Sequence, residues 1–595
     1  MRSAISALSP LLPLLVAACA ATPPAENAPP PLRPVTTATS TAVAAVDAGA
    51  SPARDEADDV AIDKAQAEYL DLLVKVSPEA ATGLGIHTRD TELEERESRA
   101  WDRLIEEEER FLKGLEERFK APRASKRAQI DLQLMQHQLR VDIRRKRVER
   151  PLERSPAIYV TPLNAIFLMT ARAYAPEVER ARNVLARLER IPAVVGEARK
   201  NLLNPPKVWT QIGIERSGGA KAFFDEQRPF LLKALPEEKA RVEAALKGAT
   251  KAYEEFKVYL QKEVMPRSNG SFAAGRDHFD FLLHEDYFLD EDADGVLAIG
   301  KRVLAETDAK MAETARRIDP KAKGWDEVLK KAKGNHPTAE GLLPAYRLEV
   351  ERARNFLKEK DIVEFPEGDD LSVIDTPVFQ RSTVTAAYDQ PPPFDKVTKG
   401  FFFVTPVDKT LSKAKQEEML RENDHGDIVD TAVHEAYPGH HLQLSFARRH
   451  PSTARKVTDA AIFSEGWALY AEELMAELGY YTDEERLLQL EWALVRAARI
   501  LIDVGLHTQN MTFDEAVKIL TDRVHLEREL ALSEVKRYTT NPTQPLAYLT
   551  GREMIFKLRE RYKAREGERF TLKRFHTEIL SHGTIAPGLI AKEMF

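Results

Sequence analysis

From Ile62 onward, most hydrophobic positions recur at intervals of three and four residues. This spacing places them along one face of an α-helix, and it is clearest in residues 69–74, 129–148 and 242–264. The opposite faces are rich in charged residues, as expected for helices that pack against a core on one side only. The pattern therefore predicts a mainly α-helical protein.

Two segments favour β-strands instead. Residues 366–387 are rich in Val and Thr, and residues 400–404 contain three consecutive phenylalanines between Gly400 and Val404. Both segments lie just upstream of a histidine-rich stretch that begins at His434. We therefore expect a minor β element beside the site that this stretch forms.

The N-terminus has the pattern of an export signal. A positively charged start is followed by an apolar run over residues 11–18, which is too short to cross a bilayer as a permanent helix. Cys19 follows the run directly, where a lipoprotein signal would place the residue that receives lipid. Residues 1–18 are predicted to be a lipoprotein signal peptide, and the alternative is an ordinary secretory signal with a chance cysteine.

The segment after Cys19 differs in composition from the rest of the chain. Residues 19–58 are mainly Ala, Pro, Thr and Ser and contain almost no large apolar side chain, so they predict a flexible tether. No fixed-period repeat and no Gly/Ser-rich break follow. Residues 59–595 are therefore predicted to form a single large helical domain.

The charge and the cysteine content of the chain limit which compartment and which binding partners are expected. Lys and Arg number 87 against 95 Asp and Glu, which gives a net charge of -8 and no basic field for nucleic acid. Cys19 is the only cysteine, so the mature chain can form no internal disulfide. We expect a protein of the cell envelope, lipid-anchored on the periplasmic or extracellular side of a bacterial membrane.

The candidate metal-binding motif lies in a predicted helix that is interrupted. Apolar residues at helical spacing lead to His434 and Glu435, and Pro438 and Gly439 follow at once. In the usual zinc-peptidase helix, two histidines at i and i+4 bind one zinc while the intervening glutamate acts on water. Here position i+4 is Pro438, which cannot donate the helical hydrogen bond, whereas Gly439 tolerates unusual backbone angles. Pro438 and Gly439 are therefore suited to a local bulge in the helix.

Such a bulge determines which histidine is the second ligand. In a straight helix His440 would lie about 9 Å along the axis from His434, too far to share a metal, and His441 about 10.5 Å. A two-residue bulge would restore the His434–His440 pair, and His441 is then expected to contact substrate. His441 remains the competing ligand.

The third protein ligand is predicted at the start of a later helix. Glu465 follows Ser464, a candidate N-cap, and would project from the first helical turn as the glutamate of His-His-Glu peptidases does. Glu472, two turns further on, is the reserve ligand. The alternative is a glutamate that only complements the helix dipole. We expect one Zn²⁺ per chain, held by His434, His440 and Glu465.

These motifs resemble those of the bacterial domain-of-unknown-function 885 family. His434, Glu435, Pro438, Gly439, His440 and Gln443 match its His-Glu-x-x-Pro-Gly-His-x-x-Gln pattern, and residues 465–470 match its Glu-Gly-Trp-Ala helix. Further similar segments are residues 77–85, 503–507, 548–552 and 575–576, so nearly the whole mature chain is included. The resemblance implies a mostly helical zinc-peptidase-like fold and no settled substrate.

Five other residues are candidates for a direct role in the reaction. Tyr548, His507 and His576 are of types that donate a hydrogen bond to a tetrahedral oxyanion, and Arg499 or Arg552 could bind a substrate carboxylate. Tyr548 and His507 are predicted to be catalytic, and the other three to bind substrate. Each also has a structural alternative, such as an i,i+4 ion pair between Arg499 and Asp503.

The sequence thus predicts a large helical, zincin-like metallopeptidase that cleaves peptide bonds with a zinc-activated water and Glu435 as general base. One alternative is a catalytically silent binding or scaffold lipoprotein that contains the metal. Another is a zinc hydrolase of a non-peptide amide or ester. The pattern leaves open the oligomeric state and the choice between exopeptidase and endopeptidase.

Overall fold

The computed structural model describes residues 56–376, 381 and 385–595. The predicted signal peptide, Cys19 and most of the predicted tether lie outside these residues. The first helix begins at Glu56, within the last residues assigned to the tether.

Helices make up 71% of the structure and strands 3%. In the described residues, the α-helices in chain order are α1 (Glu56–Val76), α2 (Pro78–Gly83), α3 (Ser98–Arg118), α4 (Lys126–Arg144), α5 (Pro151–Arg154), α6 (Pro162–Ala171), α7 (Glu177–Gly196), α8 (Ala198–Asn201), α9 (Lys207–Ala234), α10 (Lys239–Tyr259), α11 (Arg276–Glu285), α12 (Ala293–Ile318), α13 (Trp325–Ala332), α14 (Leu342–Lys360), α15 (Lys413–Arg421), α16 (His425–Glu435), α17 (His440–Ala447), α18 (Thr453–Val457), α19 (Ala461–Glu477), α20 (Asp483–Thr508), α21 (Phe513–Lys518), α22 (Arg528–Tyr538), α23 (Gln544–Glu566), α24 (Leu572–Ser581) and α25 (Pro587–Met594). Short 3-10 or π turns occupy Arg145–Glu149, Pro156–Val160, Pro236–Glu238, Leu260–Val264, Met265–Arg267, Ile519–Arg523 and Gly567–Arg569.

Local sequence signals explain where several of these helices start. Asp424 caps α16 by accepting a hydrogen bond from the Asp427 amide, and Thr482 forms a capping box with Glu485 at the start of α20. These side chains accept hydrogen bonds from amides that have no partner within the helix. The helix that carries His434 therefore has a defined beginning.

Among the residues that the structure describes, the strands form one small sheet in the order β1 (Leu371–Asp375), β3 (Gly400–Val404), β2 (Ala386–Asp389). β3 lies parallel to β1 and antiparallel to β2. β1 and β3 fall within the two segments predicted as β, whereas β2 starts at the end of the first segment and extends two residues beyond it, to Asp389. The predicted fold class, mainly helical with a minor β element, is confirmed.

Two hydrophobic cores hold the helices together. The larger core includes buried residues of α12, α16, α19, α20 and α23 as well as β3, and the smaller core is formed mainly by α6, α7, α9 and α10. The Trp209 indole of α9 donates a hydrogen bond to the Thr539 carbonyl at 3.0 Å and so joins the smaller core to the end of α22. The histidine-bearing helix α16 lies in the larger core, where nine of its eleven residues are buried.

Helices α19 and α23 cross at two glycines. A Cβ on Gly551 would lie 1.8 Å from the Ile462 carbonyl oxygen, and one on Gly466 would lie 2.6 Å from the Gly551 carbonyl carbon. Only glycine permits this approach of two backbones. The crossing sets the position of Glu465 relative to the first turns of α23.

In the described residues, every helix is too short or too polar to span a membrane.

Candidate metal centre

The histidine-bearing helix stops and restarts within the motif. α16 ends at Glu435 and α17 begins at His440, and the Tyr437–Pro438 peptide bond in the connecting segment is cis. A Cβ on Gly439 would lie 1.8 Å from the His434 carbonyl oxygen, so the returning chain passes directly against the last turn of α16. The break brings the rings of His434 and His440 to a centroid distance of 4.8 Å, with their planes at 89°.

Glu465 approaches both rings from α19. Its Oε2 atom lies 3.6 Å from His434 Nε2 and 3.4 Å from His440 Nε2. One ligand atom from each of the three residues lies within 4.8 Å of the others. Two donor atoms bound at about 2.0–2.1 Å to one tetrahedral ion are roughly 3.4 Å apart, so these distances fit a single zinc-sized ion.

The electrostatics of the cluster also favour a cation. Burial alone would raise the pKa of Glu465, but hydrogen bonds from His434 and His440 lower that pKa well below its usual value. Burial lowers the pKa of His434, yet hydrogen bonds to Glu465 and Glu472 outweigh it and raise the pKa to about 10. The protein therefore stabilises positive charge at the point where these side chains meet.

Glu472 supports the cluster from outside. Its Oε1 atom lies 2.7 Å from His434 Nδ1, which leaves Nε2 of the same ring directed at Glu465. Glu472 is fully buried, and its second oxygen accepts a hydrogen bond from Gln489 at 3.3 Å. The residue considered as a reserve ligand thus orients a histidine, which is how a carboxylate commonly assists a metal-binding imidazole.

Glu435 lies beside the three candidate ligands but is not one of them. Its Oε2 accepts a hydrogen bond of 3.0 Å from the backbone amide of Tyr388 in β2. β2 is an edge strand, so this amide is not used by the sheet. The minor β element therefore holds the carboxylate that the sequence predicts to be the general base.

His441 is turned away from the cluster. Its Nε2 lies 2.6 Å from Asp369 Oδ1 and its Nδ1 lies 3.0 Å from the Tyr388 hydroxyl. Tyr437 donates to the same Asp369 carboxylate at 2.8 and 2.9 Å. With both ring nitrogens engaged, His441 has no nitrogen left for the metal, and the structure brings His440 to the cluster instead.

Tyr548 lies in the first turns of α23, near the cluster. Burial raises the pKa of its hydroxyl, and the charge of Glu465 raises it further, which places the phenol within electrostatic reach of that carboxylate. The hydroxyl accepts a hydrogen bond from Gln544 at 3.4 Å, and the Arg499 guanidinium lies 4.9 Å from the ring centre. The phenol is thus protonated at neutral pH and able to donate.

The two other histidine candidates are held by contacts away from the cluster. His507 accepts from the Ala274 amide at 3.3 Å and lies 3.0 Å from the Tyr538 carbonyl, and burial lowers its pKa to about 4. His576 lies 2.6 Å from the Ile362 carbonyl and 2.8 Å from the Tyr470 hydroxyl. These contacts join both rings to groups other than the three candidate ligands.

The two arginine candidates are paired with glutamates. Arg499 donates to Glu534 and to the Tyr538 hydroxyl, both at 2.8 Å. Arg552 donates to the neighbouring Glu553 at 3.0 Å. Arg499 and Arg552 therefore already have acidic partners, although Arg499 also packs on Tyr548.

The sequence as a whole matches one family description, "Bacterial protein of unknown function (DUF885)", over residues 78–594. The chain belongs to the DUF885 family. The matched region contains all three candidate ligands, Glu435 and the residues that orient them. No curated protein matches the chain.

Two solved structures share this fold over almost their whole length. A "putative lipoprotein of unknown function" from Shewanella oneidensis is 25% identical, with a TM-score of 0.76 over 90% of this chain and 99% of that chain. A "putative lipoprotein" from Colwellia psychrerythraea is 18% identical, with a TM-score of 0.78 over 90% and 98%. The DUF885 fold described above is therefore found in proteins named as lipoproteins.

Glu472, Asp369 and the Tyr388 amide orient residues of this DUF885 site, and the sequence analysis did not assign them that role. Glu472 carried a signal, because it lies seven residues after Glu465 and so on nearly the same helix face. Asp369 and the Tyr388 amide carried none, because they reach the site from loops and strands that are remote in sequence.

Proposed function

We propose that the protein is an exported zinc-dependent metallopeptidase. The observation that supports this most strongly is the cluster of His434, His440 and Glu465, which has zinc-like spacing and has Glu435 beside it. A purely structural zinc site normally closes its fourth position with Cys or His and has no use for an adjacent free carboxylate. The arrangement favours catalysis over metal storage.

Each residue of the site has a distinct task in this proposal. Zn²⁺ held by the three ligands would polarise the scissile carbonyl and make water a better nucleophile. Glu435, held by the Tyr388 amide, takes a proton from the attacking water and passes it to the departing amine as the carbon–nitrogen bond breaks. Tyr548 is assigned the hydrogen bond to the developing oxyanion, because its protonated phenol interacts electrostatically with the ligand Glu465.

The proposed location is the cell envelope. The run that ends at Cys19 is typical of a lipoprotein signal, and two proteins of the same fold are named as lipoproteins. The lipid on Cys19 would hold the folded domain at a membrane, with peptides as its substrates. A binding or scaffold lipoprotein and a hydrolase of other amides or esters remain the competing functions.

The deciding experiment replaces Glu435 by glutamine. Glu435→Gln keeps the size of the side chain and all three ligands, so zinc content and thermal stability should stay close to those of the parent. Peptide hydrolysis should fall by about 10²- to 10⁴-fold, the usual contribution of a general base. Metal analysis and mass spectrometry of a digested peptide pool would measure both on the same preparations.

The possible outcomes separate the candidate functions. Full cleavage by Glu435→Gln would exclude the assigned base. No cleavage by either protein, with zinc present in both, would favour the binding lipoprotein. Cleavage of ester or non-peptide amide probes alone would favour the third function.

A further inference from the structure

A cleft lies along α17, the helix that begins at the candidate ligand His440. Leu444 and Ala447 of this helix line it, and Thr584 lines it from the loop that precedes α25. Thr584 accepts a hydrogen bond from Gln443 at 2.8 Å, three residues after the ligand His440. Leu444, the first residue of α17 that lines the cleft, is four residues, or about one helical turn, after His440.

The lining of this cleft is unbalanced in charge. Four cationic residues line it, namely Arg172, Arg448, Arg455 and Lys456, against one acidic residue, Asp459. The carboxyl group of Asp459 interacts electrostatically with Glu465 and His440, which indicates that Asp459 lies on the side of the cleft toward these candidate ligands. The remainder of the cleft is positively charged.

Two of the four cations are already neutralised. The fully buried Arg455 pairs with Asp131 at 2.6 Å and with Glu593 at 2.8 Å. Arg172 pairs with Asp389 at 2.8 Å. Neither of these two arginines would gain much from an additional anion.

Arg448 and Lys456 are not neutralised in this way. Arg448 donates to the backbone carbonyls of Pro392 and Asp395, and Lys456 lies 5.8 Å from the centre of the Phe394 ring. Within the described part of the chain, neither has a carboxylate in ion-pair contact. Burial lowers the pKa of the Arg448 guanidinium, and the nearby charge of Asp395 does not fully offset this effect. Both side chains are suited to an anionic ligand.

We propose that Arg448 and Lys456 bind the C-terminal carboxylate of a peptide whose scissile bond lies at the metal centre. This inference rests on the proposed function and specifies its substrate class. Arg448 is eight residues from His440, about 12 Å along a helix, which corresponds to about three residues of extended peptide. The protein therefore removes short C-terminal fragments of no more than about three residues.

A test of binding separates this inference from catalysis. A pool of tetrapeptides is made once with free C-terminal carboxylates and once as C-terminal amides. The zinc-loaded mature Glu435→Gln protein is incubated with each pool, and retained peptides are quantified by mass spectrometry after ultrafiltration. The free acids should be retained about 10- to 100-fold better, as expected for a charge-assisted hydrogen bond.

Variants of the cleft provide the controls. In the same background, Lys456→Gln should reduce the preference for free acids at least several-fold, and Lys456→Arg should restore most of it. Lys247→Gln, an exposed lysine on α10, should leave it unchanged. In the catalytically intact protein, cleavage should fall within three residues of free C-termini and should slow strongly for the amides.

The results distinguish the proposal about the cleft from the proposed peptidase function. Equal retention of acids and amides, absence of retention, or an unchanged preference in Lys456→Gln would overturn the inference about the cleft. Cleavage that ignores the C-terminus would overturn it while supporting the peptidase. Selective retention of free acids without any cleavage would support the cleft and count against the peptidase.

Discussion

At the scale of single residues, the site depends on three side chains whose ligand atoms converge on one position. His434, His440 and Glu465 come within 4.8 Å of one another through ligand atoms that belong to three separate helices. The three helices are anchored in the larger hydrophobic core by other residues, such as Val433, Leu442 and Leu469. This is why loss of one ligand should affect metal affinity far more than the fold.

The first prediction at this scale concerns zinc retention. His434→Ala, His440→Ala and Glu465→Ala should each release most of the zinc, because a three-ligand site loses affinity steeply when one ligand is removed. His441→Ala should retain it, since that ring is bound to Asp369 and Tyr388. Metal analysis after dialysis against a mild chelator would measure the difference. Loss of zinc in His441→Ala alone would reverse the assignment.

A second prediction concerns the support that Glu472 gives to His434. Glu472→Gln keeps a hydrogen-bonding group at 2.7 Å from His434 Nδ1 but removes the charge, so zinc affinity should fall by about 10- to 100-fold. Glu473→Gln on the same helix is the matched control, because its partners are Lys310 and Arg486. Competition with a zinc-binding dye would give the affinities. Equal effects of the two changes would show that Glu472 acts only through helix stability.

At the scale of elements, the break between α16 and α17 and the crossing of α19 with α23 build the site. The break turns His440 back toward His434, and the Trp467 indole of α19 donates to the Pro438 carbonyl at 2.8 Å. The ligand-bearing helix thus holds the connecting segment in place. The crossing at Gly466 and Gly551 sets how near α23, with Tyr548, lies to Glu465.

A prediction follows for the glycine crossing. Gly551→Ala should destabilise the fold by about 1–3 kcal/mol, because its Cβ would lie 1.8 Å from the Ile462 carbonyl and the helices would have to separate. It should also weaken zinc binding by moving Glu465. Urea unfolding and metal analysis would measure the two effects.

The matched control for this change is Gly114→Ala on α3. A Cβ at Gly114 would meet no atom within 4 Å, so alanine there should be neutral or stabilise by about 0.5–1 kcal/mol through helix propensity. If both alanine variants were equally stable, the close crossing of α19 and α23 would not limit the fold.

At the scale of the whole molecule, membrane attachment and the folded domain are separate properties. Helices of the described residues do not reach the length and apolarity needed to span a bilayer. The proposed attachment is through Cys19, which lies outside the described residues. Two or three acyl chains anchor firmly, at roughly 0.8 kcal/mol per buried methylene.

The prediction at this scale replaces Cys19 by serine. Cys19→Ser should shift the expressed protein from the detergent phase to the aqueous phase in a Triton X-114 partition, because no acyl chain can then be attached. Zinc content should not change, since Cys19 is far in sequence from the ligands. An unchanged partition would remove the lipoprotein assignment and leave a secreted protein.

The sequence by itself determined what depends on near neighbours along the chain. Helical spacing predicted the mainly α fold, and the Val- and Thr-rich and Phe-rich segments predicted the strands. Pro438 and Gly439 predicted a break in the helix, because their backbone preferences act locally. The short motifs indicated His434, His440 and Glu465 as candidate ligands, and they resemble the family whose description matches residues 78–594.

Only the tertiary structure decided which groups meet from distant parts of the chain. His441 was set aside because Asp369, 72 residues away in sequence, and Tyr388, 53 residues away, engage both of its nitrogens. Glu435 is held by an edge-strand amide, and Arg448 and Lys456 line one cleft together with Arg172 from the N-terminal half of the chain. Such long-range contacts depend on how helices and strands pack, and periodicity along the chain does not specify that packing.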